Sequence, residues 1–299
     1  MQGSRLMFND PTSFSFLPPL TRVVGLDQET VVPLHVRAVP AALNLQSFDA
    51  PVSLRSLAAS TPDLARDVFN QCYDLLAHCF PDRNSIARAS TLYAELLDRR
   101  NTFDMEALIE GGKVIGAVHT RLIDSINPGL GRIGAIEHIY SSPDARSRGV
   151  GKSLLSHAET RMSDWGAQAV LCELNDPFAM THEMLQLDEH TGITAHDRVL
   201  FWKRHGYEGI DAPYIQPRTE PDYTELFHMM VAVKRLSEDF QSPFPTVGYL
   251  GTLLAYHSAW SCSLRRNTLV IDLYKQIRHY CGSSVATIDL ESARSCMRP

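Results

Sequence analysis

The sequence predicts a mixed α/β fold of the α+β class, in which a central sheet is covered by helices on both faces. Along the chain the apolar residues change between the helical and the strand period and follow the order α, α, β, β, β, α, β, α, β. The 299 residues include 44% apolar and 21% charged residues, which is the composition of an ordinary folded protein with a real core. Elements in this order pack as a mixed sheet with helices layered on it.

Three segments are predicted from the distribution of these patterns. Residues 1–50 have many prolines and short β-branched runs without a helical period, so they are predicted to be an extended arm. Residues 51–235 contain all the elements named above and are predicted to form the main domain. Residues 236–299 carry two further helix-like patterns, at 247–260 and 268–280, and are predicted to be a helical extension.

The first part of the main domain predicts two helices and a hairpin. A helix is expected from Leu64, because apolar residues recur at helical spacing between the start signal Thr61-Pro62-Asp63 and the stop at Pro81. A second helix is expected over 84–98. Residues 102–110 and 113–122 then alternate as strands around Gly111-Gly112, which predicts a β-hairpin.

The second part alternates between strand and helix. The predicted elements are a strand at 131–141, a helix from Gly149 to Gly166, a buried strand at 169–174, a short helix near 181–188, a helix at 197–205 and a last strand at 223–234. The polar connection over 175–196 is longer than ordinary loops, and loops of that length usually shape binding sites. We therefore expect it to help select the substrate.

Charge and composition exclude several classes of protein. The net charge is −6, from 28 basic and 34 acidic residues, so nucleic acid and anionic membranes are not expected partners. No apolar stretch approaches the ~20 residues of a spanning helix, and the first twenty residues lack the apolar core of a signal peptide. The six cysteines are scattered, without a Cys-x-x-Cys pair, and no metal site is expected. These observations predict a soluble cytoplasmic protein.

A glycine-containing basic loop lies between the strand at 131–141 and the helix that follows it. Unpaired backbone amides at the first turn, the helix dipole and close approach at glycine favour a bound phosphate there. The string Gly151-Lys152-Ser153 is also found in nucleoside-triphosphate P-loops, but that motif requires a glycine where this chain has Arg146. The loop therefore does not fit a P-loop.

The loop fits the pattern Arg-x-x-Gly-x-Gly through Arg146, Gly149 and Gly151. Here the sequence resembles the GNAT acyltransferase superfamily, whose signature is Q/R-x-x-G-x-G/A between the fourth strand and the third helix. The order of elements upstream, the strand ending at Asn175 and the string at 201–207, Phe-Trp-Lys-Arg-His-Gly-Tyr, agree with it. The resemblance covers roughly residues 51–235 and implies the GNAT fold, with a mostly antiparallel sheet.

The resemblance implies an acyl-CoA co-substrate, usually acetyl-CoA, and no metal. By position, the cofactor's pyrophosphate falls on Arg146, Ser147, Arg148, Gly149, Val150, Gly151 and Lys152. The acyl group falls beside Ile139, Tyr140 and Ser141, whose amides would stabilise the developing oxyanion. Asn175 and the helix from Asp197 would flank the pantetheine, and Trp202 would pack against the cofactor.

The implied reaction is attack of an acceptor amine on the thioester, which requires loss of an ammonium proton. Glu137 is the first candidate for the base, because strand alternation predicts that it faces the same side as Ile139 and Ser141. An ion pair with a neighbour in the sheet is the structural alternative for Glu137. His138 and Glu173 are further candidates for the base.

Family members often place a tyrosine acid where this chain has Trp202, and an indole cannot serve as that acid. Tyr140 or Tyr207 would then substitute as proton donor, or the thiolate would leave without assistance.

Carboxylates concentrate on the expected acceptor side, which favours a cationic small-molecule amine. They are Glu137, Glu173, Asp176, Glu183, Asp188 and Glu189. Two alternatives remain at this point: a CoA-binding module without catalysis, and an acetyltransferase for protein lysines or N-termini. The helices after Pro245 have apolar faces and are expected either to cover the acceptor cleft or to form a homodimer.

Overall fold

The structure is a computed structural model, and it describes residues 50–124, 130–240, 242–260 and 268–293. All of them belong to one compact unit that spans residues 44–299. The predicted extended arm therefore lies outside the described residues, apart from Ala50.

The described residues form an eight-stranded sheet in the order β1-β2-β3-β4-β5-β7-β6-β10, with β8 and β9 paired separately. The strands are β1 (Val52–Ser53), β2 (Asp104–Glu110), β3 (Lys113–Asp124), β4 (Arg132–Ser141), β5 (Ala167–Asn175), β6 (Glu208–Ile210), β7 (Met229–Arg235), β8 (Phe244–Pro245), β9 (Ser284–Val285) and β10 (Thr287–Ile288). Within this sheet β4 and β5 run parallel, and the other described pairs are antiparallel. The predicted mixed, mostly antiparallel sheet is confirmed.

Helices cover both faces of the sheet. They are α1 (Leu54–Ser60), α2 (Pro62–Cys79), α3 (Ala89–Leu97), α4 (Val150–Asp164), α5 (His182–His190), α6 (Ala195–Arg204), α7 (Thr246–Trp260) and α8 (Thr268–Cys281). On one face α4 packs its apolar side onto Val118, Ile136 and Val170. On the opposite face, α2 and α3 cover one end of the sheet, and α7 covers Ile133 and Leu171.

Two predicted boundaries differ from the structure because the backbone next to each boundary makes hydrogen bonds outside the predicted element. The second helix begins at Ala89 instead of residue 84. Residues 83–85 form a 3₁₀ turn capped by Asp82, and the backbone N–H of Arg88 donates to Glu220. The last long strand begins at Met229, because the chain before it pairs with another loop through Gln216 and Leu226.

The C-terminal segment contains both predicted helices and also joins the sheet. Strand β10 pairs with β6 at the sheet edge, which the sequence did not predict because two residues show no period. Buried residues of α7, including Tyr249 and Leu253, pack with the underside of the sheet. The apolar face of this helix is therefore used within the chain.

The structure also shows where four of the six cysteines lie. Cys72, Cys79 and Cys172 are buried free thiols, and Cys281 is half-buried. Cys262 and Cys296 lie outside the described residues. No group of three or more metal-ligating side chains occurs in the described ranges. Among the helices of those ranges, none combines the length and the apolar character that crossing a membrane requires.

Candidate active site

The two parallel strands of the sheet separate halfway along their length. Strands β4 and β5 are paired from Arg132 and Ala167 to Ile136 and Cys172, and beyond that point no pair joins them. The separation coincides with a β-bulge in β4. His119 opposes His138 and Thr120 opposes Ile136, so Glu137 is the extra residue. A bulge bends its strand and increases its twist, which opens the gap.

The bulge changes the face on which Glu137 lies. Ile139 packs with the core under α4. Glu137 instead accepts a hydrogen bond from Arg121. The guanidinium of Arg121 lies 5.1 Å from the ring centre of Phe103, which belongs to the core under α2 and α3. The expectation that Glu137 shares a face with Ile139 and Ser141 is therefore wrong. Strict alternation fails at a bulge, where two residues oppose one.

A cavity of about 1080 Å³ passes through the gap and connects the two faces. On the α4 face it is lined by the basic loop, Phe201 and Trp202. On the opposite face it is lined by Glu95, Glu137 and Glu173, and by aromatic residues of α7. The predicted site residues that line it are Glu137, Ile139, Tyr140, Ser141, Arg146, Ser147, Gly149, Val150, Gly151, Lys152, Asn175 and Trp202. Arg148 of the predicted cofactor loop and Tyr207, an alternative proton donor, do not line it.

The basic loop presents unpaired donors to this cavity. Gly149 caps α4 with φ 83°, a left-handed conformation natural to glycine, and no side chain caps the first turn. The first backbone hydrogen bond there is donated by Ser153, so the amides before it have no partner within the helix. Nε and Nη2 of Arg146 are buried and also have no hydrogen-bond partner among the described residues. Such donors fit the phosphate oxygens of an acyl-CoA.

Arg148 is placed differently from the rest of the loop. Its side chain is half exposed and its guanidinium is 2.7 Å from the carboxylate of Glu110. This ion pair directs the side chain away from the cavity, which is why Arg148 is absent from the lining. It contributes positive charge near the loop rather than a group within it.

The two tyrosines predicted as alternative proton donors are both bonded elsewhere. Tyr140 is buried under α2, its hydroxyl lies 3.0 Å from His119 Nε2, and burial raises its pKa well above the ordinary value. Tyr207 lies outside the cavity lining, and its hydroxyl donates to Glu159 at 3.0 Å. This placement argues against both as the acid.

Trp202 is buried and lies edge-on to Tyr207, with 4.7 Å between ring centroids. It lines the cavity and forms part of its wall.

The base candidate His138 has its Nε2 atom 3.1 Å from the carbonyl oxygen of Ser85. A carbonyl only accepts, so this nitrogen carries the proton. Burial lowers the pKa of His138. The ring is therefore neutral and its Nε2 is occupied.

One buried arginine, Arg121, binds two carboxylates at the acidic end of the cavity. Arg121 Nε donates to Glu137 and its Nη2 donates to Glu95, both at 2.6 Å, and the side chain is 1% exposed. Burial raises the pKa of Glu95, and Arg121 opposes that shift. Glu173 is a third carboxyl group in the lining of this end of the cavity, so this end carries an excess of negative charge when all three are ionised.

Glu173 is held by tyrosines instead of by a cation. The hydroxyl of Tyr214 donates to its Oε1, and the hydroxyl of Tyr256 lies 3.3 Å from its Oε2. Burial, followed by the charge of Glu137, raises the pKa of Glu173 to about 8. We did not predict Arg121, Tyr214 or Tyr256 from the sequence. Arg121 could have been found, because it is a charged residue among the apolar residues of β3.

The long connection predicted at 175–196 does line the cavity. Met184 and Leu187 of α5 contribute apolar surface, and Asp188 binds Arg198 of α6 at 2.6 Å. The loop after α5 reaches the donor side, where the carbonyl of Thr191 accepts from Arg146 Nη1. This segment therefore contacts both ends of the site.

Part of the chain matches a known family of proteins. Residues 69–184 match the model of the Acetyltransferase (GNAT) family. This match identifies a GNAT acetyltransferase domain within the chain and is consistent with an acyltransferase. Members of that family use acetyl-CoA or another acyl-CoA as co-substrate. No curated protein sequence matches it.

Several solved structures are similar to part of the chain. A putative GNAT acetyltransferase from Bacteroides thetaiotaomicron is 22% identical, with a TM-score of 0.43, over 58% of this chain and 83% of its own. An aminoglycoside 6'-N-acetyltransferase from Enterococcus faecium is 12% identical, with a TM-score of 0.39, over 60% and 94%. The ribosomal-protein-S18-alanine N-acetyltransferase from Escherichia coli is 15% identical, with a TM-score of 0.34, over 62% and 95%.

Proposed function

We propose that this protein transfers the acetyl group of acetyl-CoA to the primary amine of a small molecule in the cytoplasm. The observation that carries the proposal is the cavity that joins the donor-rich loop on one face to the carboxyl groups on the other. A thioester held on the loop side and an ammonium held on the acidic side would meet in the gap between β4 and β5. The buried free thiols are compatible with the reducing cytoplasm.

For the donor, we assign the phosphates to the loop from Arg146 to Lys152, where uncapped amides and the partnerless nitrogens of Arg146 converge. Beyond Ile136 the edge of β4 that faces β5 has no strand partner in the described residues. Its backbone from Ile139 to Ser141 is thus available to the pantetheine arm and the thioester carbonyl. Asn175 and Trp202 would flank the arm from the other side.

For the acceptor, the acidic end favours a cation. Glu137 is 10% exposed at the cavity wall with Oε1 on Arg121, and its second oxygen can bind an ammonium group. We therefore assign Glu137 to the binding of the acceptor. A small amine fits because α5 and α7 enclose this end with Met184, Leu187 and Trp260, which leaves little room for a folded protein.

The departing thiolate needs no tyrosine in this proposal. A thiol titrates near 8.5 in water, so a thiolate is a stable leaving group near neutral pH. Unpaired amides and Arg146 on the donor side add positive potential that stabilises it further. Of the possibilities that follow from a tryptophan at position 202, we therefore propose that the thiolate leaves without assistance from an acid.

Calorimetric titration with acetyl-CoA tests the donor site, and acetylation of a panel of amines with thiol detection tests the reaction. We expect binding in the micromolar range and turnover of at least one hydrophobic amine. The variant Arg148→Glu, Gly149→Glu is expected to lose binding while keeping the fold. Folded wild type that binds acetyl-CoA but acetylates no amine, or only peptides, contradicts the proposed acceptor, and a failure to bind contradicts the donor site.

The possible homodimer stays a prediction. Light scattering of the full chain tests it, and a monomer mass at high concentration excludes it.

A further inference from the structure

We propose that Glu173 is the general base that removes the proton from the acceptor amine, and that the C-terminal helices α7 and α8 hold it in place for that task. This inference rests on the proposed amine acetylation. It assigns a catalytic part to a segment that lies outside the residues matching the family model, since α7 and α8 follow residue 184.

The position of Glu173 fits the task. It is the first residue of β5 beyond the last pair with β4, so its carboxyl group lies at the wall of the cavity where the two faces meet. Glu137 is the corresponding residue of β4, but its carboxylate is bound to the buried guanidinium of Arg121. A carboxylate held by arginine is a weaker proton acceptor, because the adjacent positive charge stabilises its ionised form.

Glu173 has a different set of partners in the part of the chain that the structure describes. Its hydrogen-bond partners there are the hydroxyl groups of Tyr214 and Tyr256, and no ion pair joins it to a lysine, arginine or histidine of those residues. Burial and the neighbouring Glu137 both favour its neutral form. A carboxyl group that titrates near the working pH is suited to take and release a proton in each cycle.

A chain of hydrogen-bonded side chains leads from Glu173 to Tyr274 of α8. Nε2 of His257 lies 2.9 Å from the hydroxyl of Tyr214, and its Nδ1 lies 3.1 Å from the hydroxyl of Tyr274. His257 is buried, and burial lowers its pKa to about 3, so the ring is neutral.

The direction of each hydrogen bond in the chain follows from this neutrality. Tyr214 gives its single proton to Glu173, so Nε2 of His257 must donate to the oxygen of Tyr214. That tautomer leaves Nδ1 as an acceptor for Tyr274. Every proton then points towards Glu173. The chain orients the carboxyl group and offsets part of the unfavourable effect of burial on its ionised form.

The reaction balances with these groups. The ionised carboxylate of Glu173 takes one proton from the ammonium, and the free nitrogen lone pair forms the C–N bond to the thioester carbonyl carbon. The C–S bond breaks, and its electron pair leaves with sulfur as the thiolate. The attacking nitrogen loses a second proton as the amide forms, and the thiolate takes up one proton. The net result is one amide, one free thiol and one proton, which Glu173 returns to solvent.

The test compares Glu173→Gln with Glu137→Gln, using acetyl-CoA and 2-phenylethylamine as the probe pair. We expect Glu173→Gln to lower kcat by ~100-fold or more, as loss of a general base does, with unchanged acetyl-CoA affinity. Glu137→Gln is the matched control at the same cavity wall, and its expected effect is mainly a higher KM for the amine. For wild type, kcat should rise with pH through about 8, where Glu173 ionises.

Tyr214→Phe and Tyr274→Phe test the positioning chain. Removing a donor that points at Glu173 favours its neutral form, so the midpoint of the pH–rate profile should move upward while the high-pH plateau is kept. A merely structural role would lower the plateau without moving the midpoint. Tyr274 is half-buried, so its conservative variant leaves the core intact if Tyr214→Phe fails to fold.

An infrared titration separates this inference from the proposed function. The difference spectrum of wild type minus Glu173→Gln should show a protonated carboxyl band that disappears as pH rises through about 8. Absence of that band overturns the inference, whether or not an amine is acetylated. Turnover by Glu173→Gln within ~3-fold of wild type also overturns it, and leaves the amine transfer standing. A normal band with no amine acetylated overturns the proposed function, and with it the catalytic part assigned to Glu173.

Discussion

Glu137 and Glu173 are the first residues beyond the last paired residues of the neighbouring parallel strands, Ile136 on β4 and Cys172 on β5. The bulge that starts the separation therefore also places the two carboxyl groups on opposite sides of the gap it opens. Their environments differ: one is paired with a buried guanidinium and the other is bonded to hydroxyl groups. This difference underlies the separate parts assigned to them in binding and proton transfer.

Arg121→Met should strongly destabilise the protein. It leaves Glu95 and Glu137 without their cation in a shielded position, and breaking a buried pair in this way costs about 3–5 kcal/mol. Urea unfolding measures the change. Arg100→Met is the control, because that arginine is 81% exposed and solvent screens its pair with Asp98, so its loss should change the free energy of unfolding little. Equal effects of the two variants would contradict the structural role of Arg121.

The two glycines of the loop should respond differently to alanine. Gly149 has φ 83°, so Gly149→Ala strains the cap of α4 by about 1 kcal/mol and should weaken acetyl-CoA binding. Gly151 has ordinary backbone angles, and an added Cβ would meet Phe201 at 3.6 Å, which is normal contact. Gly151→Ala should therefore bind nearly as wild type. Calorimetric titration compares them, and the reverse order of affinities would contradict the loop geometry.

Gly134→Ala should destabilise the protein through Met162. A Cβ added at Gly134 would lie 2.2 Å from the sulfur of Met162, so either the Met162 side chain or α4 must shift, and overpacking of this kind costs about 1–3 kcal/mol. A double-mutant cycle with Met162→Ala measures the coupling by urea unfolding. We expect the double variant to be more stable than the sum of the single changes predicts, and strict additivity would show that the two positions do not touch.

The stability of the protein should fall as pH rises above 6.5. The folded state holds a proton on Glu173 up to about pH 8, whereas the unfolded chain releases it near the ordinary glutamate value of 4.5. Between those values the folded state binds more protons, so its stability decreases with pH, by on the order of 5 kcal/mol over the whole window from 4.5 to about 8. Buried His257 has the opposite effect below its ordinary value of 6.5, and above that pH it no longer contributes.

Thermal unfolding of wild type and Glu173→Gln between near-neutral and mildly alkaline pH measures this effect. The difference in Tm between the two proteins should grow in favour of the variant as pH rises. Parallel curves across that range would show that Glu173 titrates at its ordinary value in the folded protein.

Local signals in the sequence were sufficient for most of the framework. Helical period and caps located α2 and α4, Gly111-Gly112 located the turn of the β2–β3 hairpin, and the spacing of Arg146, Gly149 and Gly151 identified the loop at the start of α4. These features depend on residues close in sequence, whose conformations are set by their own backbone preferences and by helix capping.

The tertiary structure decided how the two ends of the site meet. The bulge at Glu137 reverses the alternation that the sequence pattern predicts, because the extra residue is defined by the partner strand and not by β4 itself. It also decided which side chains surround the carboxyl groups, since Arg121 comes from β3 and Tyr214, Tyr256 and His257 come from segments far along the chain. By itself, the sequence determined the class of fold and the basic loop at the start of α4. Only packing between distant segments decided the acidic end of the cavity, because burial and charge there depend on contacts that no local pattern encodes.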